Sequence, residues 1–412
     1  MAAHPEQTGV LSFEDARRIV ESHASFLHPR GRELLALLDV AGRVLAETIH
    51  ADRDFPPFPR AARDGYAVRV SDLETVPAIL EVVAEIKAGS AHTAELISRQ
   101  AMSIMTGAAA PPGADAIVMV EHTSRNGDHV TVNKSAVKGE NIVAAGAEAK
   151  RGDELLSAGT RMGFADIAVA ASVGRSRLLA YAKPRIAVLA TGDEVVDVDV
   201  PPGLNQIRNS NSYSLAAQIQ SATGEPILLP IAPDEARRLR ELLIEGMDAD
   251  LLLIAGGVSM GKYDLVEQEL SEMKAEFFFT GALIQPGKPI VFGRVPVASG
   301  WRYFFGLPGN PVSTMVTFEL FALPMIEALA GMAPRKLAFL HAKLKSEIRA
   351  KTGLKRFLPA LLSGEFEQSE VELVRWQGSG DIAAAARANC YIVVPPDRER
   401  IAAGEWVPVL LR

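Results

Sequence analysis

From Lys183 to Gly331 the chain alternates short apolar runs with amphipathic stretches, and that rhythm restricts the fold more than any other feature. RIAVLA predicts a strand, SYSLAAQIQSATG a helix ended by Gly224, EPILLPIA a second strand, and EARRLRELLIEG a helix capped by Asp234. DLLLIAGG is the third strand, followed by a helix over 264–273, the strand EFFFTGALI and, after PGKP, the strand IVFGRV. WRYFFGLPGNP then leads into the long helix VSTMVTFELFALPMIEALAG, with Asn310 placed to cap it and Pro311 in its first turn. Strands joined through helices lie parallel with right-handed crossovers, so their C-terminal ends share one edge of the sheet. Open α/β sheets bind ligands at that edge.

The segments that reach this edge are Thr191-Gly192-Asp193-Glu194, Pro233-Asp234, Gly256-Gly257-Val258-Ser259 with Asp264, and Pro308-Gly309-Asn310-Pro311. Glycines after a strand let backbone N–H groups approach a ligand, and a following helix start offers partial positive charge to an anion. Each piece alone has a plainer reading: the glycine pair as a tight turn, Asp193 as a helix cap. A fold with no ligand there needs turns, but not so many carboxylates beside so many glycines.

Outside this region the text changes character. Ser12 caps an amphipathic helix through SFEDARRIVESHASFL, and Glu33–Ile49 continues with Leu34, Leu37, Leu38, Val44 and Leu45 on apolar faces of a second helical pattern. Phe55-Pro56-Pro57-Phe58-Pro59 cannot be helix and marks a boundary. Arg63-Asp64-Gly65 then opens the strand YAVRV, with Asp64 either a turn former or a presented carboxylate. Strands over 78–87 and 116–120, the small-residue loop with Thr106-Gly107, and a hairpin at Asn126-Gly127 make roughly 53–145 a β-rich insertion. A helix over 160–174 follows, and the short strand-like pieces from about 334 to 412 read as a small terminal β-barrel or sheet.

At 412 residues, 48% hydrophobic and 23% charged, the chain is a folded protein of several domains. A net charge of −7 argues against nucleic acid or an anionic membrane as partner. One cysteine, Cys390, excludes an internal disulfide framework and a cysteine zinc site, and the eight scattered histidines form no HxH or HxxxH pair. MAAHPEQTGV has no signal-peptide pattern and no run spans a membrane, so a cytoplasmic location is expected.

The motifs ATGDEV, QIRNSNSYSL, GGVSMGKYDLV, QPGKPIVFG and GLPGNPVSTMVTFE, preceded by RDGYAV and IMTGA, resemble the molybdopterin molybdenumtransferase family, the MoeA proteins and the gephyrin E domain, from about residue 10 to the end. The resemblance implies a multidomain α/β plus β fold: a helical discontinuous domain (10–52 and 146–180), a β-rich inserted domain (53–145), a central doubly wound α/β molybdopterin-binding domain (181–331) and a C-terminal small β-barrel (332–412). It implies homodimers whose site joins the α/β domain of one subunit to the insertion of the other. The implied reaction takes adenylyl-molybdopterin and molybdate and releases AMP. A molybdopterin adenylyltransferase would supply the substrate and molybdoenzymes would take the product.

In the matched motifs Asp64, Glu194 and Asp264 are the catalytic candidates, with Glu194 and Asp264 also holding Mg²⁺. Thr106, Thr191, Gly192, Asp193, Gly256, Gly257, Ser259, Pro308, Gly309, Asn310 and Pro311 bind substrate, and Lys288, Ser313 and Arg356 are the candidates for the molybdate oxyanion, which needs donors and positive charge. On their own, Lys288 has a plainer reading as a solvated turn lysine and Arg356 as a surface strand residue. Three departures stand out: Gln285 where the family commonly has lysine, Ala61-Ala62-Arg63 before Asp64, and Ala384 where a serine is frequent. Two of them touch the oxyanion region, so the alternatives are a dimeric molybdopterin-binding scaffold without metal insertion, and a phosphoanhydride hydrolase sharing only the α/β domain.

Overall fold

The strand and helix rhythm of 183–331 is realised as one six-stranded sheet in a computed structural model that describes residues 9–90, 94–257, 265–333 and 335–412. In chain order its elements are β1 (Arg185–Ala190), α2 (Ser210–Ser221), β2 (Glu225–Leu228), α3 (Ala236–Gly246), β3 (Leu251–Ala255), α4 (Leu265–Glu272), β4 (Glu276–Phe279), β5 (Val291–Val297), β6 (Gly300–Leu307) and α5 (Pro311–Leu329), with α1 (Phe13–Ala24) preceding them. The strand order is β2-β1-β3-β6-β5-β4. β1, β2, β3 and β6 run parallel, whereas β5 is antiparallel to both neighbours because a tight hairpin at Val297–Gly300 replaces the crossover helix.

Alternation along the strands divides the core into two layers. Ile186 and Val188 of β1 face Leu215 and Ile219 of α2, Val316 and Leu320 of α5, and Val20 of α1. Ala187 and Leu189 face Leu239, Leu242 and Leu243 of α3 and Val266 and Leu270 of α4. The sheet is therefore covered on both faces, as a doubly wound fold requires. Each fully buried aliphatic or aromatic side chain contributes about 1.5–3 kcal/mol of transfer free energy. α5 is long and apolar enough by composition to cross a membrane, but it lies in this core, with one π-type turn at Phe318–Ala322. Ser12 caps α1 as expected, accepting from the Asp15 amide at 3.1 Å.

Five strands close a barrel at the end of the chain: β7 (Phe339–Leu344), β8 (Lys355–Ser363), β9 (Glu370–Leu373), β10 (Cys390–Val394) and β11 (Trp406–Leu411), in the ring β8-β9-β7-β11-β10 with β10 returning to β8. A short helix, Ile382–Arg387, capped by Asp381, lies between β9 and β10.

The described chain divides into two compact units, Met1–Ala46 with Gly159–Met162 and Leu178–Arg412, and Glu47–Ala158 with Gly163–Arg177. The second unit is built on a six-stranded sheet in which Gly65–Val68 lies between Ala116–Met119 and Gln100–Ile104. The expected hairpin pairs His129 with Asn126, and the helix of this unit is Phe164–Ser172.

Three local expectations are corrected. Glu33–Ile49 is not helical: Arg32–Ala36 is a strand and Leu37–Val40 a single 3₁₀ turn, because Gly42, Leu45 and Ala46 donate to Met162, Thr160 and Leu179 in distant chain. Asp234 does not cap α3; Glu235 holds that position, and the Asp234 amide donates to the Asp193 carboxylate at 3.0 Å. Asn310 stands at the N-cap of α5 without a side-chain bond, and the Val312 amide is taken by the Ser379 carbonyl at 2.9 Å.

Candidate functional site

The C-terminal ends of β1, β3 and β6 are stitched together by their own backbone. Thr191 donates to the Ala255 carbonyl and Gly256 to the Leu307 carbonyl, each at 3.1 Å, so three loops are held side by side. Gly256 and Gly257 have φ of +101° and +64°, a region that side-chain-bearing residues avoid. A Cβ at Gly256 would stand 2.9 Å from the Thr191 carbonyl oxygen, and one at Gly257 would stand 2.7 Å from Val266 Cγ2. The backbone at Gly309 also comes close: a Cβ there would be 3.6 Å from Gly256 Cα.

Above these loops opens a cleft of about 790 Å³, lined by Thr191, Glu194, Gly256, Gly309, Asn310 and Pro311. Six of the residues proposed from sequence therefore meet at one place. Gly192 is beneath it, with the Glu194 carboxylate folded back so that a Cβ on Gly192 would collide with it. Asp193 is exposed, and one of its oxygens is engaged by Asp234, so it organises the neighbouring turn. Ser259 and Asp264 lie outside the described residues.

Other lining residues were not singled out from sequence. Arg208, Asn209, Ser210 and Asn211 form the far wall, and Gly380 and Ile382 reach it from the barrel region. The motif QIRNSNSYSL held the signal for the first group, but its position depends on a two-residue pairing of Val195–Val196 with Ile207–Arg208 that no periodicity announces. Asn209 caps α2 by accepting from the Ser212 amide at 3.1 Å. Asn211 donates its amide to the Gly309 carbonyl at 2.8 Å, joining that wall to the glycine loops. Arg208 is the cation of the cleft lining among the described residues.

Among the described residues two polar atoms at the cleft are buried without a partner, Thr191 Oγ1 and Asn211 Oδ1. A buried polar atom left unpaired costs about 1–3 kcal/mol, so such atoms at a cleft fit a polar ligand that completes them. The chemistry of the walls is that of a phosphoanhydride site: backbone amides in glycine loops, a helix N-terminus at α2, one arginine and one carboxylate. For a divalent cation the described residues offer Glu194 but no cluster of three His, Cys, Asp or Glu.

A second group of candidates lies elsewhere in the same unit. The strand Ile284–Gln285 pairs in parallel with the start of β8, placing Gln285 opposite Arg356. Arg356 is 7% exposed and donates Nε to Gln285 Oε1 at 2.8 Å and Nη1 to the Leu354 carbonyl at 3.1 Å. Burial pushes its pKa down. Ser313 is buried in the first turn of α5, against the loop that carries Lys288: a Cβ on Gly287 would stand 2.4 Å from Thr317 Cγ2 and 3.7 Å from the Ser313 carbonyl. Lys288 itself is exposed. Arg356, Ser313 and Lys288 do not line the 790 Å³ cleft. Ala384 is fully buried in the helix capped by Asp381.

In the other unit Asp64 and Thr106 are brought together. Thr106 donates its backbone amide and its hydroxyl to Asp64 Oδ1, and these bonds hold the Asp64 carboxyl below the ordinary range. Asp64 is exposed, in the bend before the strand Gly65–Val68, with one carboxylate oxygen held by Thr106.

Comparison with known proteins adds three family matches in chain order: the MoeA N-terminal region (domain I and II) over residues 11–174, the probable molybdopterin binding domain over 187–328, and the MoeA C-terminal region (domain IV) over 341–411. The chain is 35% identical to a molybdopterin molybdenumtransferase of Nostoc sp., covering 92% of this chain and 88% of that one. It is 33% identical to the enzyme of that name from Haemophilus influenzae, covering 97% and 98%. A crystal structure of a molybdopterin biosynthesis MoeA protein from Pyrococcus horikoshii OT3 superposes with a TM-score of 0.78 at 28% identity, covering 98% of this chain and all of that one.

Proposed function

The chain belongs to the molybdopterin molybdenumtransferase family and serves molybdenum cofactor biosynthesis, and on that premise we propose that it transfers molybdenum from molybdate to adenylyl-molybdopterin with release of AMP. The observation that carries this reading is the cleft at the ends of β1, β3 and β6, lined by glycine loops and by Thr191 Oγ1 and Asn211 Oδ1, unpartnered among the described residues, a set that fits a polar ligand.

The backbone amides of Gly257 and Gly309 cradle the phosphoanhydride oxygens, and Arg208 adds a positive charge whose attraction grows as water attacks phosphorus, the bridging P–O bond breaks and AMP leaves. Thr191 donates its hydroxyl to the same group. Glu194 and Asp264 would hold Mg²⁺, which would supply neutralisation of the charge developing on the phosphate oxygens. Arg356, Ser313 and Lys288 hold the molybdate oxyanion. What supports the last assignment is a buried guanidinium that makes no ion pair with a carboxylate among the described residues. The reading further includes the four-part division of the chain, a homodimer in which Asp64 and Thr106 of one copy complete the cleft of the other, a cytoplasmic location, and hand-over from a molybdopterin adenylyltransferase to molybdoenzymes.

The test incubates purified protein with adenylyl-molybdopterin, Mg²⁺ and molybdate, following AMP release and activation of an apo molybdoenzyme. Molybdate-dependent AMP release with activation is expected. Tight pterin binding without it overturns the enzyme reading in favour of a binding scaffold.

A further inference from the structure

Arg356 sits in an unusual electrostatic position for a buried cation. It is 7% exposed, yet its two hydrogen bonds go to neutral oxygens, the Gln285 amide at 2.8 Å and the Leu354 carbonyl at 3.1 Å. Taking a guanidinium out of water is costly unless a carboxylate or another anion compensates it. Nη2 has no partner among the described residues, and it is not one of the buried atoms cut off without one. The group is held at one end and open at the other.

Gln285 is what holds it. The parallel pairing of Ile284–Gln285 with Lys355–Arg356 fixes the backbone at both ends of the bond, and Gln285 itself is exposed. An amide oxygen is a sufficient acceptor for Nε but carries no net charge. A glutamate here would make a fork with the guanidinium and cancel its charge, while a lysine would remove the acceptor and set two cations side by side. Glutamine alone of these three both orients the guanidinium and leaves its positive charge for a ligand.

We propose that Gln285 is a positioning and specificity-determining residue for a tetrahedral oxyanion: its neutral side chain aims Arg356 at the anion and keeps the pair cationic. This rests on the assignment of Arg356 to molybdate. The glutamine that departs from the family's lysine is, on this view, a working part of the site and not a lesion in it.

The test measures molybdate binding to the full-length protein by equilibrium dialysis, with thermal melts confirming folding. Gln285→Glu keeps the acceptor and should weaken molybdate binding at least tenfold at neutral pH, with affinity returning as pH falls and the new carboxyl is protonated. Gln285→Leu should raise the KM for molybdate with little change in kcat. Arg356→Ala is the control for the underlying assignment. If Arg356→Ala binds molybdate like the parent, the assignment of Arg356 is wrong. If Arg356→Ala loses binding but Gln285→Glu binds like the parent at neutral pH, Arg356 stands and the role of Gln285 is overturned.

Discussion

Thr106 donates both its backbone amide and its hydroxyl to the same oxygen of Asp64, at 2.7 and 2.8 Å. Both bonds favour the charged carboxylate, the backbone bond more strongly, and the Asp64 pKa is lowered. Because the folded value is depressed, the stabilisation is present above the unfolded value and is lost as pH falls through the folded one.

Thr106→Val removes the hydroxyl bond and leaves the backbone bond. The Asp64 carboxyl should then titrate at higher pH than in the parent, and Thr106→Ser should restore it. Carboxyl-detected NMR titration reads the change; an unmoved titration in the valine variant shows that the hydroxyl plays no part.

Gly256→Ala forces an alanine into φ near +101° and brings its Cβ to 2.9 Å from the Thr191 carbonyl oxygen. A non-glycine residue held in such a conformation costs about 1–3 kcal/mol. Urea denaturation should show a loss of that order, and substrate affinity should fall with it. Unchanged stability would mean that the three loops yield more easily than their backbone bonds suggest.

Thr191→Val separates stability from function at one atom. The hydroxyl is buried without a partner, so replacing it by a methyl of similar shape should leave stability unchanged or raise it by about 1 kcal/mol. Binding of adenylyl-molybdopterin should weaken, because the substrate loses a donor. Calorimetric binding together with a denaturation curve tests both halves, and parent-like affinity removes Thr191 from the site.

Glu319 lies in the π-type turn of α5 and accepts from Gln218 Nε2 at 2.6 Å. Burial raises its pKa, and the Gln218 bond only partly offsets the shift. With a raised folded value, the stabilising contribution is fully present below the unfolded value and is lost as pH rises through the folded one. Glu319→Gln should therefore be more stable than the parent at about pH 8, and the two urea midpoints should converge as pH falls into the carboxylate range. Equal midpoints throughout would show that the carboxylate is adequately solvated.

The α/β region was legible because its signals are local. Ile186, Val188, Leu251 and Leu253 announce strands, and the glycines and prolines at Gly256, Gly257, Pro308 and Pro311 mark where these strands deliver their loops. Illegible were the features decided by partners far away in the chain. The leucines of Glu33–Ile49 fit a helix as well as anything else until Leu45 finds Thr160. Asp234 and Asn310 have the side chains of caps, but Glu235 takes the cap position of α3, and in α5 the Val312 amide is taken by the distant Ser379 carbonyl. The same limit hid Asn211, whose importance lies in reaching Gly309 nearly a hundred residues on.

The closed barrel has one more effect. In an open sheet a marginal strand with two polar faces can slide by a residue at modest cost, whereas a strand with one buried face cannot. β8 has no such freedom around Arg356, because Val394 of β10 pairs with it on one side and Gln285 on the other. Within a ring, moving one strand means re-indexing all five, so the alignment is a whole number that small fluctuations cannot change. The register of Arg356 against Gln285 and Val394 is thereby set by counting, and an insertion or deletion along β8 or β10 would shift it together with every core-facing side chain of that strand.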